Sequence, residues 1–283
     1  MAEHAHYYVP AQSRWPFLGA IGLGSLMVGA ANLLHHHPAG YFFFIVGALI
    51  VSYILFQWWA DVIKESMSGL YSAQMDSSFR WGMGWFIFSE VMFFAAFFGV
   101  LFFVHEFSLP WLEEAKILWP NFKAEWPLLH NPDPTKFPNP RAAMHAWGLP
   151  ALNTCILLTS GVTITIAHWA LRLKKQKTLL IFQMATVLLG LSFIAFQAEE
   201  YIYAYTELGL RLDSGIYGST FFMLTGFHGA HVTIGTLMLL IIWFRCLKGH
   251  FTPEHHFAFE AVAWYWHFVD VVWLLLFVLV YWL

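Results

Sequence analysis

Seven long apolar segments dominate this sequence, and they constrain its fold more than any other feature. They cover residues 15–34, 41–63, 81–104, 147–171, 178–203, 216–244 and 257–283. A helix needs about 20 apolar residues to cross the roughly 30 Å hydrocarbon core of a bilayer, and every segment reaches that length. Because backbone polar groups inside that core must pair within the protein, helices are the expected form. The sequence therefore predicts an all-α membrane protein with seven transmembrane helices.

The composition agrees with a polytopic membrane protein and excludes several other classes. The 283 residues are 59% hydrophobic and only 11% charged, whereas a soluble domain carries about 25% charged residues. The net charge is −3, and the sequence contains no basic cluster interleaved with aromatic residues, so nucleic acid is not an expected partner. Cys155 and Cys246 lie too far apart in sequence to suggest a disulfide framework or a thiolate metal site. Phosphate-binding loops, dinucleotide fingerprints and nucleophile elbows are absent, so no catalytic residue is assigned.

The distribution of basic residues predicts the orientation of the chain in the membrane. If the polar tail 1–14 lies inside, the short inner segments hold nine of the fourteen lysines and arginines: Arg14, Lys64, Arg80, Arg172, Lys174, Lys175, Lys177, Arg245 and Lys248. The short outer segments then hold only Arg211. Since positive residues favour the cytoplasmic side, the N-terminus is predicted to be cytoplasmic and the C-terminus periplasmic or its equivalent.

The connections between the segments differ greatly in length. The stretch 64–80 is predicted to be an inner loop, and 105–146 a long outer loop that contains seven of the twelve prolines. Such a loop is either a structured or a mobile excursion, and a variable loop without a site is the simpler interpretation. The first segment contains Gly19, Gly22, Gly24 and Gly29, which would allow a neighbouring helix to approach closely.

Glu90 is the clearest candidate for chemistry within a membrane span. It lies nine residues beyond Trp81, roughly 13 Å along a helix and therefore near the middle of the bilayer. No basic residue in the same segment can neutralise it. Either the carboxyl is protonated, or it faces another subunit or a water-filled cleft. A structural hydrogen bond between helices is an equally acceptable interpretation.

Two pairs of polar residues with helical spacing lie in the last two segments. His228 and His231 are three positions apart, as are His267 and Asp270. Histidines with such spacing can bind a metal or haem. However, a transmembrane haem usually takes histidines from two separate helices, and His267 and Asp270 can satisfy one another. We therefore interpret His228, His267 and Asp270 as structural polar residues and expect no metal in this chain.

Charged and aromatic residues gather at the inner end of the second segment. Five of them fall within the eight positions 58–65: Trp58, Trp59, Asp61, Lys64 and Glu65. Arg245 and Lys248 are predicted to lie on the same side of the membrane. Tryptophan anchors helices at the headgroup level, and lysine or arginine can bind lipid phosphate there. The group is either a lipid-binding cradle or an ordinary interfacial anchor. At the opposite side, Glu199 and Glu200 are expected to be solvated, and the turn at His35, His36 and His37 is more simply a solvated turn than a metal site.

Five sequence blocks resemble the subunit III family of haem-copper cytochrome c oxidases. They are WWADVIKES from Trp58, RWGMGWFIFSEVMFFAAFF from Arg80, LPALNTCILLTSG from Leu149, YGSTFFMLTGFHGAHVTIG from Tyr217 and AWYWHFVDVVWL from Ala263. The blocks lie in five of the seven segments, in the order of the family. Departures from the mitochondrial pattern occur at Ala60, at Tyr71 and in the long third loop, so the resemblance leaves the identity of the bound lipid open.

This resemblance implies an architecture and a set of sites. The first two helices (15–63) and the last five (81–283) would form two groups in a V, whose cleft holds phospholipid. By motif position, the lipid-binding residues would be Trp58, Trp59, Glu65, His231, Arg245 and Lys248. Glu90 would be the intramembrane carboxyl of the family, close to proton uptake.

The resemblance also implies a function. The chain would be a non-catalytic core subunit of a proton-pumping terminal oxidase in the bacterial inner membrane, in contact with subunit I and together with subunit II. It would bind structural phospholipid, support proton uptake and protect the catalytic subunit during turnover. Haem and copper would belong to the partner subunits. Two alternatives stay open here, a quinol oxidase with a homologous subunit and a transporter that uses Glu90 and Asp270 as proton relays.

Overall fold

The computed structural model describes residues 8, 9 and 12–282 of the chain, and every regular element in that part is a helix. The helices are α1 (Trp15–Leu34), α2 (Ala39–Met67), α3 (Ala73–Phe103), α4 (Leu109–Glu114), α5 (Leu149–Arg172), α6 (Gln176–Thr206), α7 (Ile216–Leu247) and α8 (Phe257–Leu276), with π-helical turns at Val104–Ser108 and Phe277–Trp282. Within these described residues, seven helical stretches are long and apolar enough to cross a membrane. The predicted fold class is thereby confirmed. Most of the predicted tail 1–14 lies outside the described residues.

The helices extend beyond the apolar segments that predicted them. α2 continues to Met67 and α3 begins at Ala73, so the predicted inner loop 64–80 is reduced to a short turn at 68–72. On the other side, α3 continues through the π-helical turn and α4 to Glu114, well into the predicted outer loop 105–146. Hydrophobicity marks only the part of a helix that lies in hydrocarbon, whereas backbone hydrogen bonding can continue among polar side chains in the headgroup region.

The chain divides into a first unit, residues 1–79, and a second unit, residues 80–283. In the first unit α1 and α2 approach closely at four buried glycines: Gly22, Gly29, Gly40 and Gly47. A Cβ atom on Gly47 would lie 2.6 Å from the backbone nitrogen of Leu26. Gly19 and Gly24, which the sequence also nominated for close packing, have no atom within 4 Å of such a Cβ atom. Only two of the four glycines in α1 therefore serve the contact.

In the second unit, α8 is the most deeply buried span. Trp266 and Trp273 are almost completely inaccessible to solvent. Their indole N–H groups donate hydrogen bonds to Oγ of Ser160 and Oγ1 of Thr154, at 2.8 and 2.9 Å, and both acceptors lie on α5. A buried indole needs such a partner. These two bonds therefore position α8 against α5 while large aromatic surfaces fill the core.

The outer connection at 115–148 is packed onto the second unit. Leu128 and Met144 are buried in the core of that unit. The amide of Asn131 donates to the carbonyl oxygen of Ser214 at 3.1 Å, and the backbone N–H of Arg141 donates to the carbonyl oxygen of Leu208 at 2.8 Å. Of the two possibilities that the sequence left open, a structured excursion is the one observed.

Candidate functional site

The intramembrane carboxyl of Glu90 on α3 meets a histidine of α7. Oε2 of Glu90 lies 2.9 Å from Nε2 of His231. Both side chains are largely shielded, with 21% of Glu90 and 14% of His231 exposed. The segment 81–104 contains no basic residue to pair with Glu90, and the partner lies 141 positions away in sequence. The interhelical hydrogen bond, which was one of the two interpretations of Glu90, is present.

The second ring nitrogen of His231 determines how the pair shares its proton. Nδ1 lies 2.6 Å from the carbonyl oxygen of Phe227. Because a carbonyl oxygen can only accept, Nδ1 must carry the ring hydrogen. The contact at Nε2 then holds one further proton, either on the carboxyl of Glu90 or on the imidazole. In both arrangements the pair as a whole is neutral, so it can retain a proton at this depth without a net charge.

Aromatic rings surround the Glu90–His231 pair. The rings of Phe94 and Phe93 lie 5.0 and 6.0 Å from the imidazole, and the ring of Tyr265 is stacked with it at 6.4 Å. These groups come from α3 and α8, so three helices meet at the pair. An apolar shell weakens competition from water and strengthens the hydrogen bond inside it.

The predicted structural polar residues lie on the neighbouring helices. His228 is completely buried, and its Nε2 atom lies 3.2 Å from the carbonyl oxygen of Val269 on α8. Nδ1 of His267 lies 3.5 Å from the carboxylate of Asp270, and Nε2 lies 3.3 Å from the hydroxyl of Thr165 on α5. Each histidine thus contacts another helix, as an interhelical hydrogen-bonding role requires.

In the first unit, the inner end of α2 forms part of a cavity of about 580 Å³. Its lining combines basic, acidic and aromatic side chains, among them Arg14, Lys64, Asp61, Trp15 and Trp58. Trp15 donates its indole N–H to Asp61 at 3.2 Å. A pocket with both charges and aromatic walls suits a polar headgroup that carries a phosphate.

Glu65, at the edge of the same cavity, is bound by two tyrosines. The hydroxyls of Tyr71 and Tyr8 donate to its carboxylate at 2.9 and 3.2 Å. Desolvation by burial, followed by the neighbouring Glu65 carboxylate, raises the pKa of Tyr71, so this hydroxyl remains a donor throughout the physiological range. Glu65 therefore ties residues before α1 and after α2 to the end of α2, a role that the sequence did not indicate. Trp59 is only partly buried at this end.

In the second unit, Arg245 lies in the last turn of α7 and is 8% exposed. Its guanidinium sits 4.4 Å from the centroid of the Phe251 ring. Within the described residues no carboxylate forms an ion pair with it, and its Nε atom has no hydrogen-bond partner. Lys248, one turn further, is exposed. A buried guanidinium of this kind can donate charge-assisted hydrogen bonds to the oxygens of an anion.

Glu200 was expected to be solvated, and this expectation was wrong. The residue is 1% exposed, and the hydroxyl of Tyr281 donates to its Oε1 atom at 2.6 Å. Adjacent acidic residues on a helix point in different directions, so Glu199 is exposed while Glu200 faces the core. Gln197, one turn earlier on the same face of the helix, is buried as well.

Comparison with known proteins identifies the type of chain. The family model described as cytochrome c oxidase subunit III matches residues 4–283. The protein named cytochrome c oxidase subunit 3 in Marchantia polymorpha is 42% identical over 98% of this chain and 96% of its own length. The proteins of the same name in Arabidopsis thaliana and Drosophila melanogaster are 42% and 40% identical, and each alignment covers at least 97% of both chains.

Proposed function

The chain belongs to the cytochrome c oxidase subunit III family, and from this premise we propose that it is an accessory subunit of the oxidase without a catalytic centre. The observation that carries the proposal is the family match over nearly the whole chain. As a member of this family, the chain is a multi-pass membrane subunit of an oxidoreductase of the respiratory chain. We propose that it contacts subunit I, accompanies subunit II, binds phospholipid and supports proton uptake.

The proposal that haem and copper belong to the partner subunits has a direct test. The full chain, purified away from its partners, should show no haem absorption band and less than one copper or iron per chain. A complex assembled with the chain should show the complete haem spectrum. One tightly bound haem in the isolated chain would contradict the accessory role.

Arg245 and Lys248 are proposed to bind the phosphate of a phospholipid. The support is the buried guanidinium of Arg245, which has no carboxylate partner in the described part of the chain. Exposed Lys248 follows at the end of α7 and adds a second positive charge. This end of the helix is proposed to lie at the inner side of the membrane. Trp58 and the adjoining cavity of the first unit are proposed to hold a headgroup too.

The Arg245→Ala, Lys248→Ala double variant should lose co-purifying phospholipid. Each cation contributes about 1 kcal/mol toward binding an anionic lipid surface. Removing both should therefore weaken phospholipid binding roughly thirtyfold. Mass spectrometry of lipid extracted from the assembled complex measures the loss. We expect the initial oxidase rate to be nearly unchanged and activity to be lost faster during turnover. As the control, Lys174→Ala and Lys175→Ala remove two inner-side charges from the α5–α6 turn. Equal lipid content in the two double variants would refute the assignment.

The Glu90–His231 pair is proposed to support proton uptake by the catalytic subunit. The pair holds a proton at mid-membrane without a net charge and is neither fully buried nor freely hydrated. Such a group can influence the protonation of neighbouring groups while taking no part in oxygen reduction. Glu90 is the residue proposed for proton uptake. His231 stays a proposed lipid-binding residue, and both of its ring nitrogens are hydrogen-bonded within the protein.

Cytochrome c is the proposed electron donor of the complex, and quinol is the alternative. The relatives with 40–42% identity carry the name cytochrome c oxidase, which favours the first. We propose a bacterial inner membrane with a cytoplasmic N-terminus and a periplasmic C-terminus. The relatives named above are eukaryotic, and the bacterial source stays a prediction.

A further inference from the structure

Two histidines face each other where the end of α5 meets the start of α8. His168 lies in the last turns of α5, and His256 directly precedes α8. Their Nε2 atoms are 3.2 Å apart, and their ring centroids are 5.2 Å apart. Both residues are partly exposed, so the gap between the rings can be reached from solvent at this end of the unit. This pair is remote in sequence and had no role in the sequence predictions.

The surroundings of His256 orient its free nitrogen toward His168. Nδ1 of His256 lies 3.1 Å from the carbonyl oxygen of Thr252, which can only accept a hydrogen bond. The ring hydrogen therefore sits on Nδ1, and Nε2 of the neutral ring presents its lone pair to His168. This arrangement, with Nδ1–H held by a backbone carbonyl, is the one that fixes the tautomer of histidine ligands in metal sites.

The separation of the two Nε2 atoms fits two ligands of one small metal ion. Zinc binds imidazole nitrogen at about 2.0–2.1 Å with tetrahedral angles, which places two ligand nitrogens about 3.3 Å apart. The observed 3.2 Å matches this distance. His168 can bind the metal ion through Nε2 as a neutral ring, because the hydrogen on Nε2 only needs to move to Nδ1. The ring of Phe259, 5.5 Å from that of His168, limits its rotation.

We propose that His168 and His256 bind a divalent transition-metal ion such as Zn²⁺ and thereby fasten α5 to the start of α8. In the described residues no third histidine, cysteine or carboxylate completes the group, so water fills the other positions. Glu260 follows one helical turn after His256, but it forms an ion pair with Arg80. The site is consequently an exchangeable one, occupied according to the metal concentration.

The test is equilibrium dialysis of the assembled complex against radioactive Zn²⁺ at neutral pH. The His168→Asn and His256→Asn variants should each bind one equivalent less than the unsubstituted complex, and their combination should lose no more than either alone. His255→Asn is the matched control, because His255 is exposed in the same turn and, within the described residues, its hydrogen bonds are made by its backbone N–H and carbonyl groups, both to Thr252. Zinc binding that is unchanged in both variants, or equally reduced in the control, would overturn the proposal.

A second measurement uses Cu²⁺ as a spectroscopic probe of the same site. Cu²⁺ added at one equivalent to the purified full chain should give an electron paramagnetic resonance spectrum with coupling to two nitrogens. Because Cu²⁺ binds imidazole more tightly than Zn²⁺, only a large molar excess of Zn²⁺ should displace it. Coupling to a single nitrogen, or a spectrum that is identical in His256→Asn, would show that the two histidines only share a hydrogen bond. That outcome leaves the accessory role of the chain untouched.

Discussion

Replacing His231 with leucine is expected to destabilise the second unit by about 1–3 kcal/mol, because the largely shielded carboxyl of Glu90 then lacks its partner. Leucine also leaves the carbonyl oxygen of Phe227 without the Nδ1–H that it accepts. Glu90→Leu should have a similar cost, since it strands Nε2 of His231. Titration of the purified full chain with a denaturing detergent, followed by circular dichroism, measures the change in the free energy of unfolding.

The double variant and a conservative variant separate pairing from packing. Glu90→Leu combined with His231→Leu should cost less than the sum of the single changes, because no polar group is stranded at the pair. Glu90→Gln retains a donor for Nε2 of His231, so stability and oxygen reduction should be nearly normal, with any effect confined to proton uptake or to the lifetime of activity. Additive single changes would show that the two residues are not coupled. Loss of oxygen reduction in a haem-replete Glu90→Gln complex would instead make Glu90 a catalytic residue.

Gly47→Val in α2 is expected to destabilise the first unit by about 1–3 kcal/mol or more, the usual cost of forcing extra atoms into a close-packed contact. The new Cβ atom would lie 2.6 Å from the backbone nitrogen of Leu26 and 2.8 Å from the carbonyl oxygen of Gly22. Backbone atoms cannot rotate away as a flexible side chain does, so α1 and α2 must separate. A lower thermal unfolding temperature and faster proteolysis of the purified full chain between α1 and α2 would report this separation.

The matched control is Gly24→Val in α1. The same atoms are added to a transmembrane helix, but a Cβ atom there has no neighbour within 4 Å. The thermal unfolding temperature should therefore stay close to that of the unsubstituted chain. If Gly24→Val and Gly47→Val behaved alike, the effect would come from the helix propensity of valine and the close contact at Gly47 would have no energetic importance.

The local sequence predicts where the helices lie, but it does not predict which residues of a helix face a neighbouring helix. The glycines of α1 illustrate the limit: all four have the same residue type, yet only Gly22 and Gly29 meet α2. Likewise, Glu199 and Glu200 are neighbours with the same chemistry, and only the second is buried against Tyr281. Each distinction depends on which side of a helix faces its neighbour, and most sides of these helices are apolar.

The seven spans follow from the sequence alone because the hydrocarbon core demands long apolar segments with internally paired backbones. The pairing of Glu90 with His231, the burial of Glu200 and the meeting of His168 with His256 were decided only by the tertiary structure. In a soluble helix an apolar stripe marks the face that packs inward. A transmembrane helix is apolar toward lipid and toward its neighbours alike, so the packing face, and with it the partner of each polar group, is set by close contacts between distant segments.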